Sequence, residues 1–397
     1  MDIKDVLPSA ELAIGHVMGN NFQIYGCIWA QYWTQNPYSS QYKTIEQYSP
    51  SASDFDSPWR ICYSDALQDL NFVAAWDVDA RKVGLPLNEA IFAEPNCCRV
   101  FQTNISDNCI VNMGSTLDGI STHMLTFHKK IHFQVADKTD ALLNDVVKTL
   151  TESKVDILLN YLPVGSQLAT EFYMNAAIKA GVAVVNCIPV FIASNPEWEQ
   201  KFINAGLPII GDDMRSQVGA SVLSQVLQEL AYDRGCKVNF HQQLNVGGNS
   251  DFANMMNAER IVSKRISKEN VIRSQNDLRN IEVAEDSLYA GPSSFVPYLK
   301  DNKVAYIRME LEAFGGANIE IDVKLSVQDS ENSAGVVLDA IRYLQVAKEM
   351  GIVGSLRGPS AWTQKTPPEQ MMYRDSLLEC EMLARREYTE LTCNQKA

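Results

Sequence analysis

Val155-Asp156-Ile157-Leu158-Leu159-Asn160-Tyr161, the segment Gln167 to Ala180, a stop at Gly181, and Val182-Ala183-Val184-Val185-Asn186-Cys187 together decide the fold. The two short apolar runs read as buried strands. The segment between them has a helical pattern and closes on glycine, the residue that most easily adopts the left-handed turn at a helix end. Strand, helix, strand implies a right-handed crossover in a parallel sheet. Working outward, Phe72-Val73-Ala74-Ala75-Trp76 is another such run that stops at Asp77, and Leu207-Pro208-Ile209-Ile210-Gly211-Asp212-Asp213 again ends in acid. A long amphipathic helix is expected from Val218 to Asp233, where Arg234-Gly235 ends it. Past Val238 the texture changes to Gly and Asn turns, then Lys303 to Leu311 and Ile319 to Val327 alternate as antiparallel strands do. Helices are expected again over Asn332 to Met350 and, past a double proline, Met371 to Tyr388. The expected architecture is α/β: a doubly wound parallel sheet built from residues 1–240 and 331–397, with a smaller α+β domain inserted at 241–330.

Composition narrows the function. A hydrophobic fraction of 46% is ordinary for a globular chain, and a net charge of -14 argues against a general affinity for nucleic acid or anionic membrane. The N-terminus has no apolar core of signal-peptide length, and no stretch is long and apolar enough to span a bilayer, so a cytoplasmic protein is expected. The nine cysteines show no metal-type repeat, and an odd count fits reduced thiols better than a disulfide framework. No metal site is assigned; oxygen ligands for a weakly held cation have no distinctive spacing.

The chemistry is expected where an open parallel sheet offers it, beyond the carboxyl ends of its strands. Asp77, Gly165-Ser166 and Asp212-Asp213 fall at such ends, and each also suits a plain turn or cap. The segment Gln243 to Asp251 places Gly247-Gly248 among Asn245, Asn249 and Asp251, and is read as a loop that lets backbone approach a ligand. Lys264 and Lys268, four apart, share one face of a helix. Two like charges so placed need solvent or an anionic ligand, and spacing alone favours solvent.

The wording of the chain from Phe72 to Gln370 resembles the myo-inositol-1-phosphate synthases in their shorter bacterial and archaeal form. The blocks that carry the likeness are Val73 to Gly84, Tyr161-Leu162-Pro163-Val164-Gly165-Ser166, Val185 to Ser194, Gly211 to Ala220, Gln243 to Asp251, Ser263-Lys264-Arg265-Ile266-Ser267-Lys268, Asp329 to Gly335, and Lys365-Thr366-Pro367-Pro368-Glu369-Gln370. The resemblance implies a Rossmann-type NAD domain, a homotetramer, and cyclisation of glucose 6-phosphate to 1D-myo-inositol 3-phosphate. That reaction runs through oxidation at C5, enolisation, aldol closure of C6 on C1, and re-reduction, with NAD regenerated. It needs fixed positive charge in a dry site for the enolate and the developing alkoxide, and ammonium groups suit both that and proton exchange.

By resemblance, Lys264 and Lys365 serve the C5 oxygen and its proton traffic, Lys268 the C1 oxygen, and Lys303 with Ser216 the phosphate region. Asp251, Asn245 and Asn249 orient lysines or substrate hydroxyls. Asp77 bonds the adenosine ribose, with Asp79 as the spare acid, while Gly165, Ser166, Asp213 and Asp329 border the cofactor. The family's glycine-rich first turn has its best counterpart at Gly15, Gly19, Asn20 and Asn21, with a different spacing. That leaves three readings open: a re-shaped NAD loop, a loop for another dinucleotide or substrate, and a lost cofactor site. Two further functions also stay open, a sister cyclase acting on another sugar phosphate such as fructose 6-phosphate in natural-product biosynthesis, and a non-catalytic binding or assembly protein.

Overall fold

The structure is a computed structural model that describes residues 70–387 except 101–104, 106–108 and 283. The expected turn at Gly15, Gly19, Asn20 and Asn21 lies outside the described residues. The chain divides after Phe72, and the elements that follow belong to the unit beginning at Val73. No helix among the described residues is long and apolar enough to cross a membrane.

A parallel pair opens this unit, β1 (Ala75–Asp77) and β2 (Val111–Met113), with the short helix α1 (Leu87–Ala90) between them. Then α2 (Leu143–Glu152), β3 (Ile157–Asn160), α3 (Gln167–Ala180), β4 (Ala183–Asn186), α4 (Pro196–Asn204) and β5 (Pro208–Ile210) alternate. The strands form a parallel sheet in the order β10-β5-β4-β3, closed at one edge by β10 (Gly354–Ser355). Its core is apolar on both faces, from Leu150 and Met174 to Phe202 and Ile209, all fully buried, as an all-parallel sheet requires. The helix α3 has the bounds its sequence predicts and ends on Gly181 at φ 73°, the left-handed cap that glycine permits without strain.

A second, mixed sheet in the order β7-β6-β8-β9 follows α5 (Ala220–Asp233). In it β6 (Lys237–Gly247) runs parallel to β7 (Leu288–Phe295) and antiparallel to β8 (Asn302–Glu312), which pairs antiparallel with β9 (Asn318–Gln328). The helices α6 (Ser250–Asn254) and α7 (Ala258–Asp277) lie between β6 and β7, and α8 (Asp329–Glu349) starts where β9 stops. After β10 come α9 (Arg357–Thr363) and α10 (Tyr373–Ala384).

The segment Gln243 to Asp251, expected as a loop, is strand as far as Gly247. Its buried face is polar, with His241, Gln243 and Asn245 each about 1% exposed, so the alternation that marks a strand is present without the hydrophobicity that normally reveals it. Ser224 of α5 donates to Gln243, which donates to Asn245, which in turn donates to the Gly291 carbonyl. Gly247 and Gly248 are needed for packing: a Cβ would come within 2.4 Å of the Phe252 ring at the first and of the Val296 carbonyl at the second.

Candidate active site

Three connections bring distant residues together at the carboxyl end of β5. Segment 364–366 pairs with residues 212–214: Asp212 and Thr366 exchange backbone hydrogen bonds at 2.9 and 3.0 Å, and the Lys365 amide donates to the Asp213 carbonyl at 2.7 Å. This docks Lys365 beside the strand end. The helix α7 crosses above with Lys264, Ser267 and Lys268 directed inward. From the other sheet, Lys303 stands opposite Val327, and the chain turns from β9 into α8 at Asp329, so that Lys303 and Asp329 form an ion pair.

Asp213, Lys264, Lys268, Lys303, Asp329 and Lys365 line one cavity of about 170 Å³, which also takes in Tyr161, Cys187 and Phe252. Ser216 and the first residues of α5 border it too, and Gly219 at the N-cap carries no side-chain cap. Helix N-termini of this kind present N–H groups to an anion. A second cavity, about 310 Å³, lies beside β1 and β2, with Trp76, Asp140 and Asp145 in its wall. Its described lining has acids and no amine, which suits a sugar phosphate poorly.

Asp213, 1% exposed, organises the first cavity. Its Oδ1 accepts from Lys264 Nζ at 2.7 Å and Lys365 Nζ at 2.9 Å, and its Oδ2 from Ser267 Oγ at 2.7 Å. Burial works to raise this carboxyl, but the two ammonium groups outweigh it and hold it well below the usual carboxylate range. Asp329 behaves likewise: burial opposes its charge and Lys303 outweighs burial. At Asp251 burial outweighs the opposing charges of Lys264 and Lys268, and the carboxyl is raised.

The lysines differ from one another. Burial opposes the charge of Lys264, yet Asp213 and Asp251 lift it above the ordinary lysine range. Burial lowers Lys365, Asp213 restores part of the loss, and the group settles at about 8. Its Nζ also donates to the Met214 carbonyl at 2.5 Å. Lys268 is 6% exposed and its ammonium forms no hydrogen bond or ion pair among the described residues; its cation–π partner is Phe252, with Nζ 6.0 Å from the ring centroid. Burial, then the charges of Lys264, Lys303 and Lys365, push it well below the ordinary range. The solvated helix face that spacing favours for Lys264 and Lys268 is thus corrected: both are enclosed, because α7 lies under residues remote in sequence.

Not every expected residue reaches this cavity. Lys264, Lys268, Lys303, Lys365, Asp251, Ser216, Asn245, Asp213 and Asp329 line it. Asn249 instead caps α6, accepting from the Phe252 amide at 3.1 Å. Gly165 and Ser166 lie at the carboxyl end of β3, where Ser166 Oγ donates to the Pro163 carbonyl. Asp77 ends β1, its Oδ1 accepting from the Val78 and Asp79 amides while Oδ2 lies 3.4 Å from Lys82 Nζ. Asp79 is fully buried and saturated by Arg81 and the Gln134 amide, which leaves Asp77 as the acid able to meet a ligand. The sequence reading passed over Ser267, Thr366, Tyr161 and Cys187. Ser267 had a signal, since it stands three residues after Lys264 and so shares its helix face.

A family model described as myo-inositol-1-phosphate synthase matches residues 219–330. An inositol-3-phosphate synthase of Mycobacterium tuberculosis is 47% identical over 305 residues, 77% of this chain and 80% of that one. Among solved structures, Ari2 is 34% identical with a TM-score of 0.61, over 81% of this chain and 86% of that one. A myo-inositol-1-phosphate synthase-related protein of Thermotoga maritima, 23% identical, shares the fold with a TM-score of 0.64 over 80% and 87%. Identity of this extent over most of both chains places the protein in the myo-inositol-1-phosphate synthase family, as an enzyme of the isomerase type.

Proposed function

We propose that the chain isomerises and cyclises glucose 6-phosphate to 1D-myo-inositol 3-phosphate with NAD bound throughout. The observation that carries this reading is the amine-lined cavity, in which Lys264 and Lys365 share one carboxylate oxygen while Lys268 stands unpaired. A dianionic substrate supplies the negative charge that such a cluster lacks, and its entry favours the charged form of Lys268.

Asp77 suits the cofactor, since it offers a carboxylate oxygen at the end of β1 for the ribose hydroxyls; the turn through Gly165 and Ser166 beyond β3 is covered by the Arg260 side chain. When bound, NAD supplies the hydride acceptor for C5 and the hydride donor for the closing reduction. Lys365, the more weakly protonated of the pair, takes the C5 hydroxyl proton as oxidation proceeds. Lys264, held charged by Asp213, stabilises the C5 oxygen through the enolate. When C6 attacks C1, the developing C1 alkoxide takes a proton from Lys268. Ser216, the N-terminus of α5 and Lys303 hold the phosphate, with Asp329 orienting Lys303. Asn245 and Asp251 face the sugar hydroxyls. The protein acts in the cytoplasm, as a homotetramer.

The test is to incubate the purified protein with NAD and glucose 6-phosphate and identify the product by ¹H and ³¹P NMR. Inositol phosphate supports the proposal. Turnover of fructose 6-phosphate alone points instead to a sister cyclase, and absence of both turnover and NAD binding overturns the cofactor assignment as well.

A further inference from the structure

Asp213 has two oxygens but three side-chain donors, and the way they are divided is not symmetrical. Both lysines bond Oδ1, whereas Oδ2 receives the Ser267 hydroxyl at 2.7 Å. Ser267 is fully buried, and Thr366 Oγ1 donates to its oxygen at 2.9 Å. A hydroxyl has one proton, so accepting from Thr366 leaves Ser267 to direct that proton at Asp213. Thr366 adjoins Lys365, and Ser267 lies on the α7 face of Lys264. The relay Thr366, Ser267, Asp213 therefore ties the two lysine-bearing segments to one carboxylate.

We propose that Ser267, seated by Thr366, is a positioning residue that closes Oδ2 of Asp213, so that Lys264 and Lys365 must share Oδ1 and Lys365 is left the readier to release its proton. The inference rests on the proposed reaction for its purpose but not for its geometry. With Oδ2 open, the carboxylate could give one oxygen to each lysine. Lys365 would then hold its proton more firmly, because a full charge-assisted bond favours the ammonium. The position of Lys365 at about 8 in the intact site accords with the shared arrangement. The other ionisable groups lining the cavity with Lys365 are Lys264 and Lys268 from α7, Lys303 from β8, Asp329 at the start of α8, Asp251 in α6, Cys187 after β4 and Tyr161 after β3. All of these stay in place when Ser267 is replaced.

The experiment follows the ¹³Cε resonance of Lys365 against pH, in full-length protein labelled at lysine and without substrate, with Lys365→Arg to assign the signal. Ser267→Ala is expected to move the Lys365 midpoint upward by about 0.5–1 unit. Thr366→Val, which keeps Ser267 but lets its hydroxyl turn away, is expected to give a smaller shift of the same sign and decides the question if Ser267→Ala does not fold. A midpoint unchanged in the folded variants, or lowered, overturns the proposal, and so does an upward shift that Lys268 shares equally, since a general loss of burial would raise both lysines. This readout needs no turnover. Failure of the wild-type protein to convert any sugar phosphate would sink the proposed function and leave the Ser267 result standing.

Discussion

Lys264 and Lys365 bond the same oxygen of Asp213, yet they hold their protons unequally. Lys264 has a second carboxylate, Asp251, acting on it, and Lys365 does not draw on that support to the same extent. With Lys365 at about 8 in the folded protein and acting as proton acceptor, the neutral form is scarce below that pH and dominant above it. The value of kcat/KM, which reports groups of the free enzyme, is therefore expected to climb as pH rises through about 8 and then level off; a flat profile from pH 6.5 to 9 would remove Lys365 from the base role. Replacing it by glutamine is expected to lower turnover by about 10²- to 10⁴-fold. The melting temperature should change little, because Asp213 keeps Lys264 and Ser267. At this scale the sequence was informative about which lysines gather in one cavity, through the family wording around Ser263 to Lys268 and Lys365. It could not show that they are buried: the groups around Lys268, among them Phe252, Lys303 and Lys365, are not its neighbours in the chain.

Among elements, the turn after β5 is the hinge of the site's architecture. Asp212 is fully buried and accepts from the amides of Ile192, Ala193 and Ser194, from Ser194 Oγ and from Asn186 Nδ2. Burial, partly offset by these donors, raises its carboxyl to about 6. Asp212→Ala would strand the buried amides of Ile192 and Ala193 and remove the acceptor of the part-buried Ser194, and is expected to cost about 3 kcal/mol of stability, read by urea denaturation. Loss of under about 1 kcal/mol would mean that water or a shifted loop replaces the carboxylate. The elements themselves were legible where their buried face is apolar. Residues in β3, β4 and β5, the bounds of α3, and the β8–β9 pair all follow from periodicity. The strand β6 did not, because His241, Gln243 and Asn245 occupy the positions where a strand pattern calls for Val or Ile. Their partners, Gln228 and Ser224 on α5 and Gly291 on β7, come from elements that no single segment reveals.

For the molecule as a whole, a parallel sheet and a mixed sheet meet at the lysine cavity, so the site depends on both. Strand ends of the first provide Asp213 and the Lys365 docking segment, and the second provides Lys303 and Asp329. The cofactor assignment reaches outside both sheets, to Asp77 at the end of β1 in the separate β1–β2 pair. Asp77→Ala is expected to weaken NAD binding about 10- to 100-fold, measured by calorimetry, since charge-assisted hydrogen bonds are worth about 1.5–3 kcal/mol. Unchanged affinity would move the ribose contact elsewhere. The most direct measurement of the central claim uses glucose 6-phosphate carrying deuterium at C5 with substoichiometric NAD. The account predicts inositol phosphate that retains the deuterium, with no net accumulation of NADH, because the hydride leaves and returns within one site. Formation of no inositol phosphate, or of inositol phosphate that has lost the label to solvent, would contradict it.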